Sequence, residues 1–376
     1  MKDKVITFAA GPTKVPTEVK ETIRKEMLDF NGTGLSILET MHRSKPFVKL
    51  LETCEKNVRQ VLSVPENYKI LFLQGGATAQ FAAVAMNLFG GTSKTADYLI
   101  TGMWSVKALQ EARKYGECRE VCPLVPDFKD IPPESTYELN PEAAYLFYCD
   151  NETISGVEFS HPPTPPEGVP LVCDMSSNIL SKPVDVSKYG VIFAGTQKNF
   201  GCSGCTVVIV REDLLDRALA YTPGVLNYAQ QAKAGSMYNT PPTFTIYVAN
   251  LICQWIKENG GLENMDVLSR QKSAVLYSAI DQSNGFYRLH PAQAVRSRVN
   301  VVFRLQAEDL ENRWVEGAEA LGLQNVRGHR TVGGLRISLY NAHTMEDAHI
   351  MAQYMLDFRQ RYTAGQSSKQ FMQPEC

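Results

Sequence analysis

Between Leu171 and Val210 the chain reads LVCDMSSNILSKPVDVSKYGVIFAGTQKNFGCSGCTVVIV, and this stretch narrows the architecture more than any other. One apolar run ends in a carboxylate, Asp174; a second, VIFAG, delivers Lys198 into a turn of small residues. The design recurs upstream. KILFLQ runs into Gly75 and Gly76 before TAQFAAVAMNLF takes up helical spacing, DYLITGMWS places Trp104 just past a strand, and AYLFYCD leads to polar Asn151, Glu152 and Thr153. Continuous apolar runs of this length read as strands buried on both faces. Polar residues collected at the C-terminal ends of successive strands are what an open, mainly parallel sheet between helices produces. The expected fold class is therefore α/β.

At 376 residues the chain can form two domains and bury a sizeable core. Hydrophobic residues make up 44% and charged residues 21%, which suits a soluble globular protein and argues against long disorder. The 38 basic residues nearly balance the 40 acidic ones, with no basic block to meet nucleic acid and no acidic tail. Met1 to Val15 lacks the apolar core of a signal peptide, and nowhere do about 18 apolar residues run together, so a cytoplasmic protein is expected. That compartment predicts free thiols for the nine cysteines. Cys202 and Cys205 have CxxC spacing, yet no second pair or nearby histidine completes a zinc set, and no metal is expected.

Along the chain, FAAGPTKVPTEVKETIRKEM predicts an extended segment, a Gly-Pro turn and a helix entered at Pro16 and Thr17. SILETMHRSKPFVKLLETCEKNVRQVL returns to helical spacing, with His42 and Arg43 in the loop ahead of it. HPPTPPEGVP reads as a surface loop, EDLLDRALA as a helix, YTPGVLNYAQQAKAGSMYNTPPT as a long excursion, and TIYVANLICQWIKENGG as a helix stopped by its glycines. A long amphipathic helix near Leu262 to Ser283 opens a smaller C-terminal α/β domain, in which RSRVNVVFRL and GLRISLYNA are strands and DLENRWVEGAEALG and TMEDAHIMAQYMLDFRQRY helices. The expected division is a large domain over 16–260 and a small one from 1–15 and 261–376, with the tail AGQSSKQFMQPEC loosely ordered.

An acid at the mouth of one buried strand and an amine just past another is what a pyridoxal phosphate site requires. The amine can hold the cofactor as a Schiff base, and the acid keeps the pyridine nitrogen protonated so that the ring accepts electrons. The same two residues also read as a solvated turn lysine and a helix-capping aspartate. Likewise the Gly75-Gly76 turn can seat a phosphate on free helix N–H groups, or simply reverse the chain. Trp104 can stack on a ring or fill core. The spaced glycines of a dinucleotide fingerprint are absent.

Beyond these patterns, AGTQKNFGCSG, CDMSSNILSKPVDVSKYG and DNETISG closely resemble phosphoserine aminotransferases, and FAAGPTKVP, TGMWS, MYNTPPTF, GHR and VGGLRISLYNA follow in that family's order. The resemblance runs from about Phe8 to about Arg361. It implies a fold-type I pyridoxal-phosphate-dependent transferase of class V, with a mainly parallel seven-stranded sheet between helices, that exchanges an amino group between glutamate and 3-phosphohydroxypyruvate. The products are O-phosphoserine and 2-oxoglutarate, in serine biosynthesis; a phosphorylated hydroxythreonine in vitamin B6 synthesis is a further expected substrate in some organisms. Other class V reactions, such as alanine-glyoxylate transamination, and a catalytically silent pyridoxal-phosphate-binding protein are the alternatives.

By the same resemblance, Lys198 holds the cofactor and moves protons, Asp174 pairs with the pyridinium, Trp104 stacks on the ring and Thr153 lies beside it. Gly76, Ala77, Thr78 and Gln197 hold the phosphate, joined by Asn239 and Thr240 from a neighbouring subunit, which implies a homodimer with shared sites. Arg336 matches the arginine for the α-carboxylate. His42, Arg43, His329 and Arg330 match the cations for the substrate's phosphate or glutamate's distal carboxylate. The chain departs from the family at Ala77 and Ala79, where the phosphate turn usually has glycine, and at Ala10, where some members have serine. Alanine fits the turn only if neither position needs a positive φ.

Overall fold

The computed structural model describes residues 5–370. A short strand, β1 (Ile6–Thr7), is followed by helices α1 (Thr17–Glu26) and α2 (Lys45–Val61). α2 buries Phe47, Leu50, Leu51, Cys54 and Val58, the three- and four-residue spacing of one helix face. Strands β2 (Tyr68–Leu73), β3 (Thr95–Tyr98), β4 (Glu117–Glu120) and β5 (Leu146–Cys149) come next, with α3 (Gly76–Leu88) and α4 (Met103–Ala112) following β2 and β3. A two-stranded antiparallel hairpin, β6 (Asn151–Glu152) and β7 (Val157–Glu158), precedes β8 (Leu171–Asp174), β9 (Val191–Gly195) and β10 (Thr206–Arg211).

Seven of these strands form one sheet in the order β2-β10-β9-β8-β5-β3-β4. Every neighbouring pair is parallel except the two made by β10. Alternate residues feed two separate cores. Ile70, Tyr148, Cys173 and Ile192 join α2 and α6 (Thr243–Glu258) on one face. Leu71, Phe147, Val172 and Phe193 join α3 and α4 on the other. With both faces covered, no position on these strands can be polar without cost, so chemistry is confined to strand ends.

The remaining elements are α5 (Tyr228–Lys233), α7 (Gly261–Asp281), β11 (Arg288–Leu289), β12 (Asn300–Arg304), α8 (Glu308–Ala320), β13 (Leu323–Gln324), β14 (Leu335–Ser338) and α9 (Met345–Gln370). β11, β12 and β14 make an antiparallel sheet. β13 pairs in parallel with β1, so the N-terminal segment docks beside C-terminal elements. Trp314 of α8 is fully buried in their core, with Phe303 and Tyr354 edge-on at 5.8 and 5.0 Å. α7 contributes to two cores, with Leu262 and Met265 in that of the large sheet and Leu276 and Ile280 in the C-terminal one.

Three segments differ from expectation: 212–220, the long excursion 221–243, within which Tyr228–Lys233 is helical, and the tail from 364. EDLLDRALA forms only a 3₁₀ turn, Glu212–Leu214. Its later backbone groups bond instead to the end of α3, Leu219 N to Met86 O at 2.7 Å and Gly90 N to Arg217 O at 2.7 Å, which removes them from helical pairing. α9 continues through 364–370, the first part of the expected loose tail, while 371–376 lie outside the described residues. Among the described residues no helix is long and apolar enough to cross a membrane.

A buried ion network crosses from the hairpin to the C-terminal half. Glu158 meets Arg298 at 2.7 Å and Lys182 at 3.5 Å, and Asp150 meets Lys182 at 3.0 Å. Burial alone would raise the Glu158 pKa, but the two cations outweigh it and hold the carboxyl below its usual range. A depressed carboxyl stabilises the fold above its unfolded pKa, and that contribution disappears as pH falls through the folded value. Replacing Arg298 with Met strands a buried carboxylate and is expected to cost about 3 kcal/mol in urea unfolding at neutral pH, with a smaller loss in acid once Glu158 is protonated.

Candidate active site

The C-terminal ends of β5, β8 and β9 open into a cavity of about 290 Å³. Lys198 and Asp174 both line it, and they are only 8% and 4% exposed. Lys198 Nζ donates to Thr153 Oγ1 at 2.7 Å. Burial lowers the Lys198 pKa to about 8, against the opposing pull of Asp174. Asp174 shifts the other way: burial raises its pKa, while the Ser176 N–H, donating at 2.8 Å, and the lysine favour the charged form. A cationic partner delivered into this cavity would offset the cost of keeping Asp174 ionised.

Gly75 and Gly76 take left-handed φ of 98° and 67° and turn β2 into α3. A Cβ at Gly75 would sit 2.5 Å from the Ala79 Cβ, which explains the glycine. Ala77, Thr78 and Ala79 are absent from the positive-φ positions, so the alanines of this turn carry no backbone strain. No side chain caps α3, and Gly76, Ala77 and Thr78 face the cavity from its first turn. An uncapped helix start is a seat for a phosphate. Gln197 lines the same cavity, packed against Gly195 and Gly11, where side chains would collide with it or crowd it.

Trp104 lines the cavity from the start of α4, and its buried indole Nε1–H has no partner among the described residues. Its backbone is set by Glu152, a fully buried carboxylate that accepts from Trp104 N at 3.0 Å, Ser105 N at 2.9 Å and Ser105 Oγ at 2.8 Å. Burial raises the Glu152 pKa and these donors at the helix N-terminus oppose it. Gly102 leaves the space, because a Cβ there would overlap the carboxyl. The motif reading located Glu152 only as a polar strand end; the signal for its role was Gly102 and Ser105 in TGMWS, three residues apart at a helix start.

Arg336, on β14, reaches the cavity from the C-terminal sheet and donates through Nη1 to the Thr153 carbonyl at 3.2 Å. Thr153 therefore touches the amine with its hydroxyl and the guanidinium with its carbonyl. Among the described residues Arg336 has no carboxylate partner, and burial lowers its pKa. Asn151 bonds Asn300 at 2.8 Å, and Asn300 bonds Ser338 at 2.9 Å, so a buried amide relay ties the hairpin to the strand that carries Arg336. No sequence motif announced that relay.

His329 also lines the cavity, held by a 2.8 Å contact between Nδ1 and Thr331 Oγ1. Burial, Arg336, Lys107 and Arg330 lower its pKa. Arg330, His42, Arg43, Asn239 and Thr240 do not line it. Asn239 and Thr240 instead bond Gln74, at the end of β2, with Asn239 Nδ2 to Gln74 Oε1 at 3.3 Å and Gln74 Nε2 to Thr240 O at 3.1 Å. Cys202 and Cys205 are free thiols, and no cluster of His, Cys, Asp or Glu among the described residues could hold a metal.

A buried acid, a buried amine of lowered pKa, an indole beside them and an uncapped helix start fit pyridoxal phosphate at its ring nitrogen, aldehyde, ring face and phosphate respectively. The family model for aminotransferase class-V matches residues 5–351. A phosphoserine aminotransferase of Drosophila melanogaster is 50% identical over 94% of this chain and 98% of its own. The solved phosphoserine aminotransferase of Bacillus circulans subsp. alkalophilus superposes with a TM-score of 0.93 at 41% identity, covering 96% of this chain and 99% of that one. A pyridoxal-phosphate-bound phosphoserine aminotransferase from Trichomonas vaginalis gives 0.89 at 40% identity, over 94% and 99% of the two chains. The chain belongs to the class-V aminotransferases, and pyridoxal phosphate is its cofactor.

Proposed function

We propose that this protein is a phosphoserine aminotransferase, passing an amino group reversibly between glutamate and 3-phosphohydroxypyruvate. The observation that carries the reading is Arg336: a partly buried guanidinium with no acid partner among the described residues, sharing Thr153 with the amine of Lys198. Every substrate of this reaction carries a carboxylate beside the reacting carbon, and a guanidinium receives it bidentately. His329 extends the hydrogen-bonding lining toward the far end of the substrate, where a phosphate or second carboxylate sits. A protein that merely stored the cofactor would have no use for that arginine.

When bound, the cofactor supplies a ring that accepts electrons from the carbon losing its proton. Arg336 fixes the substrate carboxylate, which turns the α-carbon toward Lys198. Lys198 Nζ then removes the α-proton and holds it for return, serving as base and acid in turn. Burial has brought its pKa to about 8, so both protonation states are accessible near neutral pH. With the cofactor bound, Asp174 would stay ionised against the ring nitrogen and Trp104 would pack on the ring.

His42, Arg43, Asn239 and Thr240 lie outside the cavity of their own chain. A symmetric homodimer gives them a role, each subunit lending these groups to its neighbour's site. The hold of Gln74 on Asn239 and Thr240 supports this, since it fixes the loop without turning it inward. Arg330 adds positive charge near His329. The domain boundary falls between α6 and α7, at Gly260, and the cytoplasm is the compartment.

O-Phosphoserine added to the purified holoenzyme is expected to change its visible absorption, and glutamate to do the same; a spectrum unmoved by either would favour a silent cofactor-binding protein. Lys198→Ala is expected to lose about 10³-fold or more in kcat while still binding cofactor through Asp174 and the α3 start. In single turnover, the wild-type rate rises as pH climbs toward about 8, where the amine sheds its proton, and levels above it. Arg336→Ala is expected to raise KM for both glutamate and O-phosphoserine, by about 2–3 kcal/mol in kcat/KM, whereas loss of a group serving only the phosphate would spare glutamate.

A further inference from the structure

A second cavity, of about 610 Å³, lies between the 124–129 loop, the paired strands β11 and β12, and Thr331 and Val332. Phe128, Leu289 and Val332 supply apolar lining, while Lys129, Arg288, His290 and Arg304 supply basic groups. Asp127 is the one carboxylate among the lining residues, and Lys129 already occupies it at 2.9 Å.

Arg288 and Arg304 stand directly opposite one another in the antiparallel pairing of β11 with β12. Like charges facing each other across two strands destabilise the pair. Among the described residues neither arginine forms a salt bridge with a carboxylate; Asp127, paired to Lys129, feels Arg304 only at longer range, so positive groups outnumber the one acid lining this cavity. The loop above is nonetheless held in place. Asp127 and Phe128 adopt left-handed φ of 56° and 51°, rare for residues other than glycine. The Asp127 carbonyl meets His290 Nε2 at 2.9 Å, and the Lys129 carbonyl accepts from Ala292 N at 2.7 Å.

Arg304 also runs along Gly333, where a Cβ would lie 3.1 Å from its Nη2. Gly333 closes the turn in which the His329 carbonyl accepts from Val332 N at 3.0 Å and Gly333 N at 2.7 Å. The second cavity therefore adjoins the turn that presents His329 to the catalytic one.

We propose that this cleft binds an organic phosphate monoester, its dianion held between Arg288 and Arg304 and its apolar body against Phe128 and Val332, separately from the catalytic cavity. Paired guanidinium groups suit a phosphate dianion, and the dianion removes the repulsion between them. Occupancy links the 124–129 loop to the C-terminal sheet and steadies the His329 turn.

Phenyl phosphate is a direct probe, titrated into the holoenzyme by saturation-transfer NMR while excess glutamate, which carries no phosphate, fills the substrate site. The wild type is expected to retain a saturable site under that excess. Arg288→Ser with Arg304→Ser, both at exposed positions, is expected to weaken it by about tenfold or more. Equal binding by the double variant, or displacement of the probe by glutamate, would overturn the proposal. Inorganic phosphate binding as tightly as the probe would overturn the apolar half of the site. Because the readout is binding, failure here is distinct from failure of the aminotransferase reading.

Discussion

Keeping charge in a largely buried cavity is the constraint on which the rest of this structure depends. Lys198, Asp174, Glu152 and Arg336 are all removed from water in whole or large part, and each would be costly alone. The protein meets this cost with hydrogen bonds from its own backbone and small hydroxyls. Glu152 takes three donors at the start of α4, Asp174 takes the Ser176 amide, and Lys198 leans on Thr153. What is left over is a polarised pocket that a charged cofactor and an anionic substrate can complete.

The sheet explains why these groups meet. Because alternate strand residues enter two cores, the strands have no polar face, and polar side chains are displaced to the C-terminal ends of β5, β8 and β9. Those ends lie side by side in register, Cys149 opposite Asp174 and Asp174 opposite Phe193. Helices α3 and α4 then begin at the same edge and supply amide donors without needing charged side chains. The preorganisation of the site is thus a property of the layer packing, and it is present before any ligand arrives.

The C-terminal half completes the pocket from the opposite side. Arg336 comes from β14, and its position is set by a relay of Asn151, Asn300 and Ser338 buried between hairpin and sheet. The N-terminal segment joins this arrangement, with β1 on β13 and Tyr340 donating to the Ala10 carbonyl at 2.7 Å. Ala10 thus contributes through its backbone, so the missing hydroxyl of serine leaves this contact intact. Because α7 packs into both cores, it ties the C-terminal half that carries Arg336 to the large sheet that carries Lys198.

The sequence alone determined the strand-turn-helix units, the acid and amine at strand ends, and the helical faces of α2, α6 and α7, because these follow from local periodicity and turn chemistry. It misread 212–220 as a helix, since the backbone of that segment bonds to residues far away in the chain, which no local pattern records. Only the tertiary structure decided which polar residues converge. Thr153 is one short-range feature in DNETISG, yet its hydroxyl and carbonyl join a lysine 45 positions away and an arginine 183 positions away. Tertiary structure also decided that Glu152 is a buried anchor and that Asn239 and Thr240 turn toward Gln74. Such roles depend on burial and on partners brought together by packing, and one-dimensional order carries neither.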